Sequence, residues 1–179
     1  SCSAHKIYGP KGVGAAFVKS DAYGIPPITA FMHGGEQESG FRAGTLAVHN
    51  IVGFSKAAEI ALRDLAANEK RISCLDQMFI AGITAIPTVS LTNKSDNRLP
   101  GIISIVIGQN DFNNERFIKR ISDKFALSTG SACSAGEPSY VITALGLEDK
   151  VSKVLRISLN KYTTEGEVNQ LIKVLREEL

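Results

Sequence analysis

The chain has 179 residues, 44% of them hydrophobic and 21% charged, with no Trp, which is the composition of a soluble globular protein long enough to bury a core. Lys and Arg total 20 against 18 Asp and Glu, a net charge of +2 without a basic stripe, which argues against a nucleic-acid-binding class. The longest apolar run, IISIVI at 102–107, is too short to span a membrane, no signal peptide is expected, and three scattered cysteines without zinc-site spacing read as reduced and intracellular.

Residues 1–46 are glycine-rich and lack helical periodicity, apart from a strand expected at VGAAFVK, 13–19. From about Ala47 apolar residues recur at steps of three or four: Ile51, Ala58, Leu62, Leu65, Ile72, Leu75, Phe79, Ile83 and Ile86. Charged side chains fill much of the remainder, which predicts one or two long amphipathic helices stopped by Pro87. TVSLT (88–92) and IISIVI read as strands, and NNERFIKRISDKF as a helix with Phe117, Ile121 and Phe125 on one face. A short strand is expected to enter LSTGSACSAGEPSY, 127–140, followed by a short helix from Pro138 that Gly146 caps. VLRISL (154–159) reads as a strand, and Thr164 with Glu167 has capping-box spacing before a final helix carrying Val168, Leu171, Ile172 and Leu175. Alternating helices and strands imply an α/β or α+β layer structure.

Four segments could carry chemistry. Cys133 lies among Gly130, Ser131, Ala132, Ser134, Ala135 and Gly136. It reads either as a small packed hydrophobe or as a reactive thiol on a loop that feeds a helix N-terminus, whose positive end favours thiolate. SAHKIYGPKGVG (3–14) lacks the spacing of a phosphate-binding P-loop, and its glycines fit a tight turn before a strand. Its His-Lys pair is either a solvated loop or an amine, Lys6, held for Schiff-base chemistry with a carbonyl cofactor. HGGEQESGFRAGT (33–45) is a connecting loop or a backbone, arginine and hydroxyl surface for an anion. Arg156, inside an otherwise apolar strand, needs a carboxylate, either structural or from a ligand. His33 and His49 have no metal-ligand spacing and read as structural, so no metal site is expected; Cys74 reads as packed in the long helix, and Cys2 is left open.

Taken in this order, the four segments resemble the group I cysteine desulfurases, pyridoxal-phosphate enzymes of the aminotransferase class V, fold-type I kind. SAHKIYGPKGVGAAFV is similar to the family's cofactor-lysine segment, and HGGEQESGFRAGTLAVHNIVGFSKA to its glycine-rich loop and following helix. STGSACSAGEPSYVITALGL is similar to its catalytic-cysteine loop, and LRISLNKYTTEGEV to its substrate-arginine strand and closing helix. The resemblance covers nearly the whole chain.

It implies that Lys6 holds pyridoxal 5'-phosphate covalently and then acts as base on the substrate α-carbon. Ser3 and His5 would touch the cofactor phosphate from the same turn, and Thr45 would reach the phosphate of a partner subunit's cofactor in a homodimer. Arg156 would clamp the carboxylate of L-cysteine, and Cys133 would take the sulfur as a persulfide and pass it to an acceptor or scaffold protein. The implied role is cytoplasmic sulfur transfer for iron–sulfur assembly or nucleic-acid thiolation, without direct nucleic-acid or membrane contact. The stretch between Cys133 and EPSY is shorter than the family's usual spacer. The family's cofactor lysine lies near mid-chain and here is residue 6, so the chain resembles the C-terminal half, expected to have little activity alone. Residues 1–63 would be the tail of the large cofactor domain and 64–179 the C-terminal small α/β domain. Two other readings stand beside it: a selenocysteine lyase or other class V lyase, and a non-catalytic domain that docks a sulfur acceptor.

Overall fold

The computed structural model describes residues 1–24, 28–93, 95, 97–130 and 139–179. These form two compact units, 1–66 and 67–179, each with its own internal packing.

In the first unit, strands β1 (Cys2–Ser3) and β2 (Gly14–Ala15) pair antiparallel, Cys2 opposite Ala15 and Ser3 opposite Gly14. Between them runs a 3-10 turn, Ala4–Ile7, which ends at Tyr8 with φ 66°. Ala4 is 0% exposed and closes the turn from both sides: its N–H donates to Val13 O at 3.1 Å, and its carbonyl accepts from Gly9 N at 2.9 Å. Gly14 is required by close approach, because a Cβ there would stand 2.5 Å from the Cys2 carbonyl oxygen. The strand expected over 13–19 forms only at Gly14 and Ala15, the two residues that pair with Ser3 and Cys2. Helix α1 (Val48–Arg63) follows the loop of residues 33–46. It lies against the glycine turn through Gly53, where a Cβ would come within 3.1 Å of Pro10 Cγ, and through Ala57.

The long amphipathic stretch is two helices. α1 ends where Asp64 leaves helical geometry (φ −97°, ψ 2°) while its side chain takes Arg63 in a paired contact at 2.7 and 2.9 Å. α2 (Leu65–Thr84) then carries the stripe onward and stops three residues before Pro87.

The second unit is built on an antiparallel sheet of order β3 (Val89–Leu91), β4 (Ile102–Ile107) and β5 (Val154–Ser158). Strand alternation sends Ile103, Ile105, Ile107, Leu155 and Ile157 to one face. That face meets Leu75, Phe79 and Ile83 of α2, Phe117 and Ile121 of α3 (Asn114–Ile121), and Val168, Leu171, Ile172 and Leu175 of α5 (Glu165–Glu178). On the opposite face Val106 and Val154 meet Ile142 of α4 (Tyr140–Ala144) and the 3-10 segment Glu148–Lys153. The result is a mixed α/β layer structure, as the element order predicts. Phe125 lies beyond the end of α3 but packs, half-buried, on the same core. α4 starts at Tyr140, with Ser139 in the cap position; Pro138, where it was expected to start, lies outside the described residues.

Cys74 is exposed, which corrects its reading as a packed residue. At 100° per residue it lies nearly opposite the Leu75–Phe79–Ile83 stripe, so sharing a helix with core residues does not bury it.

Side chains cap the starts of α3 and α5. Asn113 accepts from Arg116 N at 3.0 Å ahead of α3. Thr164 and Glu167 form a reciprocal capping box ahead of α5: Glu167 N donates to Thr164 Oγ1 at 3.2 Å and Thr164 N to Glu167 Oε2 at 2.7 Å. The Thr164 backbone N–H, then its hydroxyl, hold the Glu167 carboxyl below its ordinary value of 4.5. A carboxyl depressed by folding contributes stability that is present above its unfolded value and lost as the pH falls through the lower, folded one. Thr164→Ala removes the side-chain acceptor that caps α5 and should cost about 1 kcal/mol near neutral pH. Its deficit in urea-melting midpoint should shrink as the medium is acidified below pH 4.5.

Candidate active site

Three of the residues singled out in the sequence share one turn. Ser3 ends β1, and His5 and Lys6 lie in the 3-10 turn pinned by buried Ala4. All three side chains are exposed, and Lys6 forms no ion pair among the described residues. The turn thus presents a hydroxyl, an imidazole and an uncommitted primary amine within four residues. It is held on both sides by backbone hydrogen bonds, so the amine stands on a fixed base.

Thr45 belongs to the same unit, at the end of the loop of residues 33–46, and is exposed. That loop is fixed by side-chain contacts to backbone: Gly44 N donates to Gln37 Oε1 at 3.0 Å, and Arg42 Nη1 to Gly44 O at 3.1 Å. Glu38 and Ser39 take left-handed φ values of 51° and 57°. An open, mainly apolar groove of about 780 Å³ runs beside this loop, walled by Phe41, Leu46, Ile51 and Phe54 and by the glycine turn. None of Ser3, His5, Lys6 or Thr45 lines it, so it is separate from the amine-bearing turn.

In the second unit Arg156 occupies the middle of β5, between buried Leu155 and Ile157. Alternation resolves its presence in an apolar strand: its neighbours point into the main core, and Arg156 points to the other face. There it lies between two serines, Ser104 on β4 and Ser128, which forms an isolated antiparallel bridge with it. The short strand expected ahead of Cys133 is this one bridge. Arg156 Nη2 donates to Ser128 Oγ at 3.3 Å, while its Nε is buried without a partner. No carboxylate pairs with it among the described residues, so the structural half of its sequence reading is not realised there.

Cys133 lies outside the described residues, as do its neighbours Ser131 to Pro138. Two polar residues that sequence reasoning missed are structural. Asp76 takes both guanidinium nitrogens of Arg98, Nη1 to Oδ1 at 2.9 Å, and accepts from Gly101 N at 2.8 Å. Asn114, buried, donates to the carbonyls of Val151 and Val154 at 2.9 Å each. Asp76 carries a sequence signal: it falls on the same helical stripe as Ile72 and Phe79, where a charge needs a partner.

The mixed α/β layers, the lysine turn and the arginine strand define a chain of a recognisable kind. The sequence pattern of the aminotransferase class-V family matches residues 1–171, and the chain belongs to that family. A cysteine desulfurase IscS of Aeromonas salmonicida (strain A449) is 40% identical over 182 aligned residues, covering 100% of this chain and 44% of that protein. Among solved structures, one titled "NIFS-LIKE PROTEIN" superposes with a TM-score of 0.82 at 31% identity, over 98% of this chain and 44% of that one. Another, titled "SspA in complex with cysteine", has a TM-score of 0.62 at 33% identity, over 90% of this chain and 44% of that one. The chain thus spans less than half the length of the relatives it matches.

Proposed function

We propose that the protein carrying this chain is a cysteine desulfurase, which converts L-cysteine to L-alanine and holds the sulfur on Cys133 for delivery to an acceptor protein. The observation that carries this reading is Arg156, a cation on a core strand with a buried Nε and no carboxylate among the described residues. A polar atom left so in a folded protein points to an absent ligand, and an amino-acid carboxylate fits. The likeness to chains named cysteine desulfurase supports the reaction, and the relative solved with cysteine supports the substrate.

The lysine turn fits pyridoxal 5'-phosphate by the chemistry of its donor set. A primary amine without an ion-pair partner among the described residues suits an aldehyde, and the Ser3 hydroxyl and His5 imidazole on the same turn suit a phosphate. Lys6 would hold that group, Ser3 and His5 would touch its phosphate, and Thr45 would serve the site of a partner subunit. When bound, the cofactor supplies an electron sink for charge at the substrate α-carbon.

This chain's own residues account for the rest. Arg156 fixes the substrate by its carboxylate, and Lys6 takes the proton from its α-carbon. The Cys133 thiolate attacks the substrate sulfur: the new S–S bond forms as the carbon–sulfur bond breaks, and its electron pair stays with the three-carbon product. That product takes up protons and leaves as L-alanine, with the persulfide on Cys133. In this reading residues 1–63 are the tail of the cofactor domain and 64–179 the small domain, in a cytoplasmic homodimer that passes sulfur to a scaffold or acceptor. Among the described residues no helix is long and apolar enough to cross a membrane. Incubating the full-length, cofactor-loaded protein with L-cysteine and a thiol reductant should give alanine and sulfide in equal amounts. Turnover of L-cysteine that yields no alanine would falsify the proposal.

A further inference from the structure

Among the described residues the Ser128 hydroxyl has three hydrogen bonds, which fill its capacity. It donates to Gly130 O at 2.8 Å, accepts from Gly130 N at 3.3 Å, and accepts from Arg156 Nη2 at 3.3 Å. One donor and two acceptor sites are all that a serine hydroxyl offers, so this one cannot turn without losing a partner. Its backbone is fixed as well: Ser128 N donates to Arg156 O at 3.2 Å and Arg156 N to Ser128 O at 2.6 Å. Residues that exchange both backbone hydrogen bonds across an antiparallel pair project their side chains to the same face. The hydroxyl therefore meets the guanidinium because of the bridge, and the bridge rests on β5, whose flanking residues are core.

We propose that Ser128 is the positioning residue for Arg156, setting the direction of its guanidinium for a substrate carboxylate while leaving its charge unspent. The inference rests on the reading of Arg156 given above. A neutral hydroxyl is suited to this task. It orients Nη2 through one hydrogen bond, whereas an aspartate at the same place would neutralise the cation and occupy the carboxylate's position. Ser128 touches no reacting atom. Its effect falls on recognition of the carboxylate and not on the chemical step.

The test uses the full-length, cofactor-loaded protein and two probes that differ only in the carboxylate, L-alanine and L-alaninamide, titrated by calorimetry. Ser128→Ala should weaken L-alanine about tenfold, the worth of one hydrogen bond to a charged group, and leave L-alaninamide unchanged. The KM for L-cysteine should rise by a similar factor, with kcat within about twofold. Ser128→Thr, which keeps the hydroxyl, should restore L-alanine binding, and Ser128→Asp should abolish it. Equal weakening of both probes by Ser128→Ala, or of neither, overturns the positioning role. Arg156→Ala separates this from failure of the underlying reading. If it leaves L-alanine binding intact, Arg156 does not bind carboxylate and both ideas fall; if it weakens L-alanine where Ser128→Ala does not, only the positioning role falls.

Discussion

Cys133→Ser in the full-length protein is expected to lower alanine formation from L-cysteine by about a thousandfold or more, the scale seen when a nucleophile is removed. A serine hydroxyl stays protonated at neutral pH, whereas a thiol is partly ionised there and is intrinsically the stronger nucleophile. Binding should survive, because Arg156 and Lys6 are untouched: L-alanine should bind the variant as it binds the parent. The product on the enzyme gives the sharper check. After incubation with L-cysteine, peptide mass spectrometry should find one additional sulfur on Cys133 of the parent and none on residue 133 of the variant. Cys2 and Cys74 are both exposed and serve as internal controls. Sulfur accumulating on either of them in the parent, with Cys133 bare, would sink the assignment of the nucleophile.

The second large effect is on stability. Arg98→Met is expected to cost about 3 kcal/mol, read as the shift in urea midpoint of the transition that unfolds residues 67–179. Asp76 is 2% exposed and takes both ends of the Arg98 guanidinium, so the variant leaves a buried carboxylate with Gly101 N as its one remaining donor among the described residues. The reverse change, Asp76→Leu, should cost less. The Arg98 side chain is 21% exposed and can turn its charge to water. Combining the two should recover part of the loss, because an ion pair replaced by apolar side chains leaves neither charge buried alone. The remainder belongs to Gly101 N, left without its acceptor. A double variant less stable than Arg98→Met alone would contradict this account.

The parts of the fold that the sequence foretells are those set by local signals. β4 spans IISIVI, and α5 begins at the capping box formed by Thr164 and Glu167. The stripe of α2 buries the residues its periodicity marks, with Leu75, Phe79 and Ile83 in the core. The misses depend on partners distant in the chain. Asp76 finds Arg98 across 22 residues, and no pattern at either position announces the other. The strand expected at 13–19 forms only where Gly14 and Ala15 meet Ser3 and Cys2, a pairing that composition does not reveal. The break at Asp64 came without glycine or proline, so periodicity runs through it unchanged.

The placement of the candidate site's residues was legible to a similar extent. Ser3, His5 and Lys6 are adjacent in sequence, and the structure sets them on one turn. Arg156 stood out as a charge in an apolar strand, and the sheet explains it by alternation. Ser128 did not stand out, because a serine before a glycine-rich run is unremarkable until its cross-strand neighbour is known. Its role depends on a bridge spanning 28 residues.

If Arg156 binds the substrate as proposed, its location on β5 also determines when recognition can fail. Leu155 and Ile157 on either side are 0% and 2% exposed, so the backbone of residue 156 cannot open locally without exposing the centre of the sheet. Its amide should belong to the slowest class to exchange hydrogen with solvent, opening only with the whole unit. Damage in that unit away from Arg156 and Ser128 would then leave the affinity expected of Arg156 intact in every folded molecule. It would reduce only the fraction that is folded, so loss of function would appear as fewer active copies rather than weaker ones.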